Sequence, residues 1–227
     1  MSNSALRFGA PFLIGSIFMP TAAGAHGIIG PRFFPATIAT DDPFAADELA
    51  LPTISFFRHL EDGVPSTETE YSMEYSKSIF PGFALSFEGG YVQAKSDGEP
   101  SSSGFDNIEL TPILEVAHSE EHEFIASLAL SWEIGGTGSR SIGADSASSY
   151  TPKIQFGKGF GDLPENMGWL RPFAITGTVG YGIPGRGDDP HTVEWGGAIE
   201  YSLLYLQNNV HDVGLGPVLS HVTPLME

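Results

Sequence analysis

Residues 67–77 read TETEYSMEYSK, and side chains of the same kind recur at every second position of this stretch. Tyr71, Met73 and Tyr75 share one face of an extended chain. The opposite face carries Glu68, Glu70, Ser72, Glu74 and Ser76. Because successive side chains of a β-strand point to opposite sides, this period of two predicts a strand with one apolar face and one acidic face.

The same period of two recurs along most of the chain. The further windows lie at 51–59, 82–94, 107–118, 123–135, 150–160, 169–183 and 192–205. Short connections at 78–81 and 119–122 alternate with longer loops, rich in Gly and Ser, at 95–104 and 136–149. Short and long connections in alternation are typical of an antiparallel meander. The pattern therefore predicts an all-β, antiparallel, up-and-down barrel with about eight visible strands.

The length of the strands and the positions of their aromatic residues indicate which way the faces point. Most windows exceed the 5–6 residues of an average soluble strand, and they reach the 9–11 residues that cross a bilayer. Aromatic residues recur near both ends of the apolar faces. At about 3.3 Å per residue and about 40° of tilt, their separations project to roughly 20–25 Å, the height of a lipid-facing band. The aromatic residues predicted to lie at the two membrane interfaces are Tyr71, Tyr75, Phe83, Tyr91, Phe124, Trp132, Tyr150, Phe160, Trp195 and Tyr205.

With the apolar faces in lipid, the polar faces line the lumen of a transmembrane barrel. The predicted lining residues are Glu68, Glu70, Glu74, Glu88, Glu109, Glu115, Glu123, Glu133, Lys153, Glu194 and Glu200. A lining with this excess of carboxylates attracts cations and repels anions. An alternative role for the same acids is to hydrate the wall and to pair with basic residues of a plug or of further strands.

The first 50 residues differ from the rest. Residues 1–25 predict a cleaved secretory signal peptide, with Arg7 before an apolar run at 8–19 and a small-residue cleavage site that ends at Ala25. Residues 26–50 predict a periplasmic or plug segment, with a short helix that begins at Asp42 and Pro43. The barrel domain is predicted at 51–227.

Composition excludes several classes of function. The formal net charge of -18 disfavours nucleic acid as a partner. The chain has no Cys, so disulfides, thiolate nucleophiles and all-Cys metal sites are excluded. No G-x-S-x-G, H-E-x-x-H or Walker motif occurs, and neither a catalytic residue nor a cofactor is predicted. One metal alternative is copper at His26, which would become the N-terminal residue after cleavage.

Two runs carry a family resemblance: HGIIGPRFFPATIATDDPFAADELALPTISFF at 26–57 and PKIQFGKGFGDLPENMGWLRPFAITGTVGYGIP at 152–184. They resemble outer-membrane β-barrel proteins of Gram-negative bacteria that are grouped near barrels encoded with aromatic-degradation pathways and are loosely described as transporters. The resemblance covers most of 26–227. It implies a barrel and passage of small molecules, and it supplies no active-site residues. Such barrels end on a strand that the outer-membrane assembly machinery recognises, whereas the final run HDVGLGPVLSHVTPLME does not alternate, so we expect a barrel that lacks its C-terminal strands.

The sequence thus predicts an exported protein of the Gram-negative outer membrane, in contact with lipid, that acts as a channel or transporter for small solutes and not as an enzyme. Two alternatives remain open: a soluble exported β-barrel that binds an apolar ligand inside, and a copper protein that uses His26.

Overall fold

The computed structural model describes residues 27–37, 40–61, 64–98 and 100–227, and the chain in these ranges is mostly antiparallel β-structure. The strands in chain order are β1 Ile28–Ile29, β2 Arg32–Phe33, β3 Glu48–Glu61, β4 Val64–Phe80, β5 Phe83–Ser96, β6 Ser102–Phe105, β7 Ile108–Ser119, β8 Phe124–Ile134, β9 Ser149–Gly159, β10 Phe173–Gly182, β11 Thr192–Tyr201 and β12 Leu225–Met226. Short helical turns occupy Arg140–Ile142, Glu165–Leu170, Leu203–Tyr205, Leu206–Val210 and Leu219–His221. All eight predicted strands are present as the long strands of this set.

The long strands form one sheet in which each strand pairs with the next along the chain. The order is β12-β11-β10-β9-β8-β7-β5-β4-β3, with β6 paired beside β5. The sheet curls into a half-barrel. Its edges are β3 on one side and β11, which β12 covers over two residues, on the other. The predicted antiparallel meander is therefore confirmed at the level of the sheet.

The two faces of the half-barrel have opposite character. We call the face that contacts the N-terminal residues the inner face and the opposite one the outer face. On β9, Gln155 points inward and is 2% exposed, whereas Ile154 points outward and is 58% exposed. The same alternation on β8 buries Ser127 and Ser131 and exposes Leu128 and Leu130. On these strands apolar side chains thus point outward and most of the inward-pointing side chains are polar.

Residues 27–37 and 40–47, which we call the N-terminal segment, lie against the inner face. Ile29, Phe34 and Phe44 pack with Ile125 and Ala174 in one apolar cluster. A second small cluster joins Ala45 to Ala84, Ile113 and Ala129 of the sheet. These contacts hold the segment inside the half-barrel.

The helix predicted from Asp42 and Pro43 is wrong, because residues 41–47 form no helix before β3 begins at Glu48. Asp42 Oδ1 accepts a hydrogen bond from the Phe44 N–H at 2.9 Å, which makes an Asx turn. The Ser127 hydroxyl donates to the Pro43 carbonyl, and the Ala45 N–H donates to Glu115 Oε1 at 2.9 Å. Hydrogen bonds to the sheet therefore replace those that a helix would have made.

The end of β11 also differs from the prediction. The strand stops at Tyr201, because Ser202 Oγ accepts a hydrogen bond from the Tyr205 N–H at 3.1 Å and caps a helical turn. The predicted signal peptide at 1–25 and the copper ligand His26 lie outside the described residues. Within the ranges that are described, no helix is long and apolar enough to cross a bilayer.

Candidate functional site

The register of the sheet aligns glutamates of the inner face in a row across four strands. Glu74 on β4 lies opposite Glu88 on β5, and Glu88 lies opposite Glu109 on β7. Glu109 in turn lies opposite Glu133 on β8. Directly opposed residues share a face with Cβ atoms about 4.5–5.5 Å apart, where like charges repel. The row therefore brings four acidic side chains close together on one face of the sheet.

A second row, of hydroxyl side chains, runs beside the glutamates. Ser76 lies opposite Ser86, and Ser86 lies opposite Thr111. Thr111 Oγ1 is 3.0 Å from Ser131 Oγ and donates to Glu109 Oε1 at 3.0 Å. The wall formed by the two rows consequently offers many hydrogen-bond acceptors.

These rows and the N-terminal segment enclose a cavity of about 230 Å³, which we call the acidic cavity. Its carboxylates are Asp41, Asp42, Glu48, Glu74, Glu88 and Glu109. Lys153 is the one basic residue among the lining residues in the described part of the chain. Formal charge in the acidic cavity is therefore strongly negative.

Lys153 is held by acids on both sides. Its Nζ lies 2.9 Å from Asp41 Oδ2 on the N-terminal segment and 3.6 Å from Glu194 Oε1 on β11. Thr178 Oγ1 lies 3.5 Å from the same Asp41 oxygen. One ammonium group, paired with Asp41 at close range, therefore stands against the six carboxylates of the acidic cavity.

The predicted lining residues divide between the acidic cavity and other places on the inner face. Glu74, Glu88, Glu109 and Lys153 come together around the cavity. Outside the cavity lie Glu68 and Glu70 on β4, Glu115 on β7, Glu133 on β8, and Glu194 and Glu200 on β11. Glu133 accepts a hydrogen bond from Asn107 Nδ2 at 2.6 Å, and Glu200 is buried.

The structure corrects the prediction for Glu123, because its side chain does not line an open lumen. It sits in the turn between β7 and β8 with φ 46° and is buried. Its Oε2 lies 3.0 Å from Nε of Arg32, which is 1% exposed, and 3.0 Å from the Gly161 N–H. Arg32 Nη1 also donates to the Pro172 carbonyl at 2.8 Å. Glu123 therefore helps to anchor the N-terminal segment.

Tyr205 completes this anchor and does not belong to the predicted outer aromatic rows. Its ring lies 3.8 Å below the Arg32 guanidinium, and its side chain is 4% exposed. Burial, together with the hydrogen bond and charge of Glu123, raises the pKa of Tyr205 to about 12. Neither Arg32 nor Tyr205 could be assigned this role from a pattern, because the chain brings them together over 173 positions.

The other predicted aromatic residues lie on long strands or at their ends. Tyr71, Tyr75, Tyr150 and Trp195 are exposed. Partly buried are Phe83, Tyr91, Phe124, Trp132 and Phe160. The Trp132 and Tyr150 rings stack with centroids 6.1 Å apart on neighbouring strands.

Comparisons with known protein families, curated proteins and solved structures found no match. The residues in the described ranges contain no group of three or more His, Asp or Glu side chains placed to hold a metal ion. Chemically, the acidic cavity is an anionic chamber rich in oxygen acceptors, which suits hydrogen-bond donors that carry positive charge.

Proposed function

We propose that this protein is an outer-membrane β-barrel channel for small solutes, exported through the signal peptide predicted at 1–25. In this proposal the outer face contacts lipid and the inner face contacts water. The observation that carries the proposal is one continuous apolar row across five strands. Leu114, Leu128, Ile154, Val179 and Trp195 are directly opposed from β7 to β11.

All five side chains of this row are exposed, and Trp195 reaches 80%. Soluble monomers rarely expose contiguous apolar patches above a few hundred Å². A lipid environment removes that surface from water, and the alternation of apolar-out and polar-in is the pattern of transmembrane β-strands. Exposure on five adjacent strands thus supports lipid contact more strongly than scattered apolar residues would.

The character of the interior disfavours the alternative of a soluble barrel that binds an apolar ligand. Such a ligand would meet six carboxylates and the hydroxyl row in the acidic cavity. Only a few apolar residues, including Phe44 and Ile113, reach its wall. Transfer of an apolar molecule into such surroundings has little driving force, whereas a hydrated cation is favoured.

The proposal also has a consequence for the two open edges of the sheet. Backbone N–H and C=O groups without partners cost several kcal/mol each in the hydrocarbon region. On this proposal, the edges at β3 and β11 are therefore paired in the membrane, so that the conducting assembly has a closed wall.

Conductance in a planar lipid bilayer tests the channel. We expect cation-selective conductance, because the acids of the inner face concentrate cations near the pore axis. The double variant Glu88→Gln, Glu109→Gln is expected to be less cation-selective. Its reversal potential in a salt gradient should therefore lie closer to zero, the value for a non-selective pore. Glu121→Gln, which removes one charge from the exposed β7–β8 turn, is the control and leaves the reversal potential unchanged. Anion selectivity, or no conductance from protein inserted in the bilayer, would contradict the proposal.

A further inference from the structure

We propose that the acidic cavity is a binding site for a short aliphatic amine in its ammonium form. This inference deepens the proposed function, since it names the class of solute that the channel would pass. The site itself is defined by residues of the half-barrel and of the N-terminal segment.

Two buried polar groups without partners point to a ligand. Ser76 Oγ on β4 and Gln155 Oε1 on β9 have no hydrogen-bond partner within the described ranges. Their residues are only 5% and 2% exposed, and both line the acidic cavity. Nearly all buried side-chain oxygens in proteins have a hydrogen-bond partner. A hydrogen-bond donor in the cavity is the kind of group that either oxygen would accept from.

The charges around the cavity select the sign of that molecule. Six carboxylates line it, and its one ammonium group, on Lys153, is neutralised by Asp41 at 2.9 Å. An anion would meet this negative field without a free cationic partner. An ammonium group instead supplies three N–H donors and a positive charge, and hydrogen bonds between charged groups are about twice as strong as neutral ones.

The size and wall of the cavity restrict the rest of the molecule. A volume of about 230 Å³ is below the 300–1,000 Å³ of sites for drug-sized ligands. It is suited to a chain of a few methylene groups. Phe44 and Ile113 give the wall an apolar part against which such a chain can pack.

Isothermal titration calorimetry of the full chain, folded in detergent micelles, tests the site with three probes. We expect saturable binding of 1,4-diaminobutane. Tetramethylammonium carries the same sign of charge but has no N–H donor, and we expect it to bind at least tenfold more weakly. Butyrate, an anion of similar length, is expected to show no binding. Equal affinity for 1,4-diaminobutane and tetramethylammonium, or no binding of either, would overturn the proposal.

Variants of the two acceptors without partners separate a binding role from a structural one. Ser76→Ala and Gln155→Leu are each expected to weaken 1,4-diaminobutane binding about fivefold or more. Gln155→Glu, which adds a carboxylate, is expected to strengthen it. Ser76→Ala removes a hydroxyl without a partner, so the stability of the ligand-free protein should not fall, and this variant suffices if Gln155→Leu does not fold. Unchanged affinity in Ser76→Ala would show that 1,4-diaminobutane binds away from this wall of the acidic cavity and would refute the proposal.

The calorimetric result is independent of conduction. Binding without conductance would refute the channel and leave the amine site in place, whereas conductance without binding would do the reverse. Glu121→Gln again serves as the control, with unchanged affinity for 1,4-diaminobutane.

Discussion

Replacing Ile154 with arginine is expected to destabilise the folded protein in a lipid bilayer by about 2–4 kcal/mol. Ile154 lies in the middle of β9, points outward and is 58% exposed. A charge there would face the centre of the hydrocarbon region if the outer face contacts lipid. In a soluble protein the same change at an exposed site alters stability by about 0.5 kcal/mol or less. Urea unfolding of protein inserted in vesicles measures the difference.

Val193→Arg is the matched control for depth. Val193 is even more exposed, at 68%, but it is the second residue of β11 and lies near the end of the strand. The cost of a lipid-facing arginine falls to about 0–1 kcal/mol near the membrane interface. Equal effects at Val193 and Ile154 would argue against a membrane around the half-barrel.

Replacing Arg32 with methionine is expected to destabilise the protein by about 3–5 kcal/mol. The change leaves the Glu123 carboxylate buried without its cation, and it also removes a hydrogen bond to the Pro172 carbonyl. The N-terminal segment loses its anchor beside Tyr205 as well. The free energy of unfolding in urea is the measurement.

Two comparisons make this expectation specific. Lys77→Met breaks an ion pair with Asp47 whose side chains are about half exposed, and exposed pairs contribute about 0–1 kcal/mol. The double variant Arg32→Met, Glu123→Gln removes the unpaired charge and should recover part of the loss. If Arg32→Met costs no more than Lys77→Met, the buried pair does not anchor the segment.

The sheet could be predicted because the sequence pattern that specifies each strand is local. A period of two over 11 residues, as in TETEYSMEYSK, assigns each side chain to a face whatever the rest of the chain does. Antiparallel pairing of neighbours followed from the short connections. The prediction was wrong where tertiary contacts outweighed the conformational preference of the local sequence. Asp42 and Pro43 resemble a helix start, yet Pro43 and Ala45 make their hydrogen bonds to β8 and β7 and the chain forms no helix there.

The acidic cavity was predictable only in part. The alternation assigned Glu74, Glu88 and Glu109 to one face, but their alignment in one row depends on strand register, which the sequence does not show. Asp41 belongs to the cavity because of the position of the N-terminal segment against the sheet, which the sequence does not show either. Tyr205 was misassigned because apolar residues continue beyond β11 in a helical turn that Ser202 caps.

Among the described residues, the alternative role considered for the acids, pairing with bases of a plug, is seen at Glu123. Arg32 of the N-terminal segment pairs with Glu123. At Lys153 the polarity is reversed, since the segment supplies the acid Asp41 and the wall supplies the base. The cavity glutamates Glu74, Glu88 and Glu109 face no base of the segment within the described ranges, which is why a cationic solute suits them.

The central claim is that the outer face meets lipid and the inner face meets water. Since the chain has no Cys, single cysteines introduced at Leu128, Ile154, Glu70 and Glu194 each give a unique site for a spin label. Electron paramagnetic resonance of the labelled protein in vesicles then compares collision with oxygen, which concentrates in lipid, against collision with a water-soluble nickel complex. We expect labels at Leu128 and Ile154 to collide mainly with oxygen, and labels at Glu70 and Glu194, on the inner face, to show a lower ratio of oxygen to nickel collisions. Predominant nickel collisions at Leu128 and Ile154 would contradict the claim.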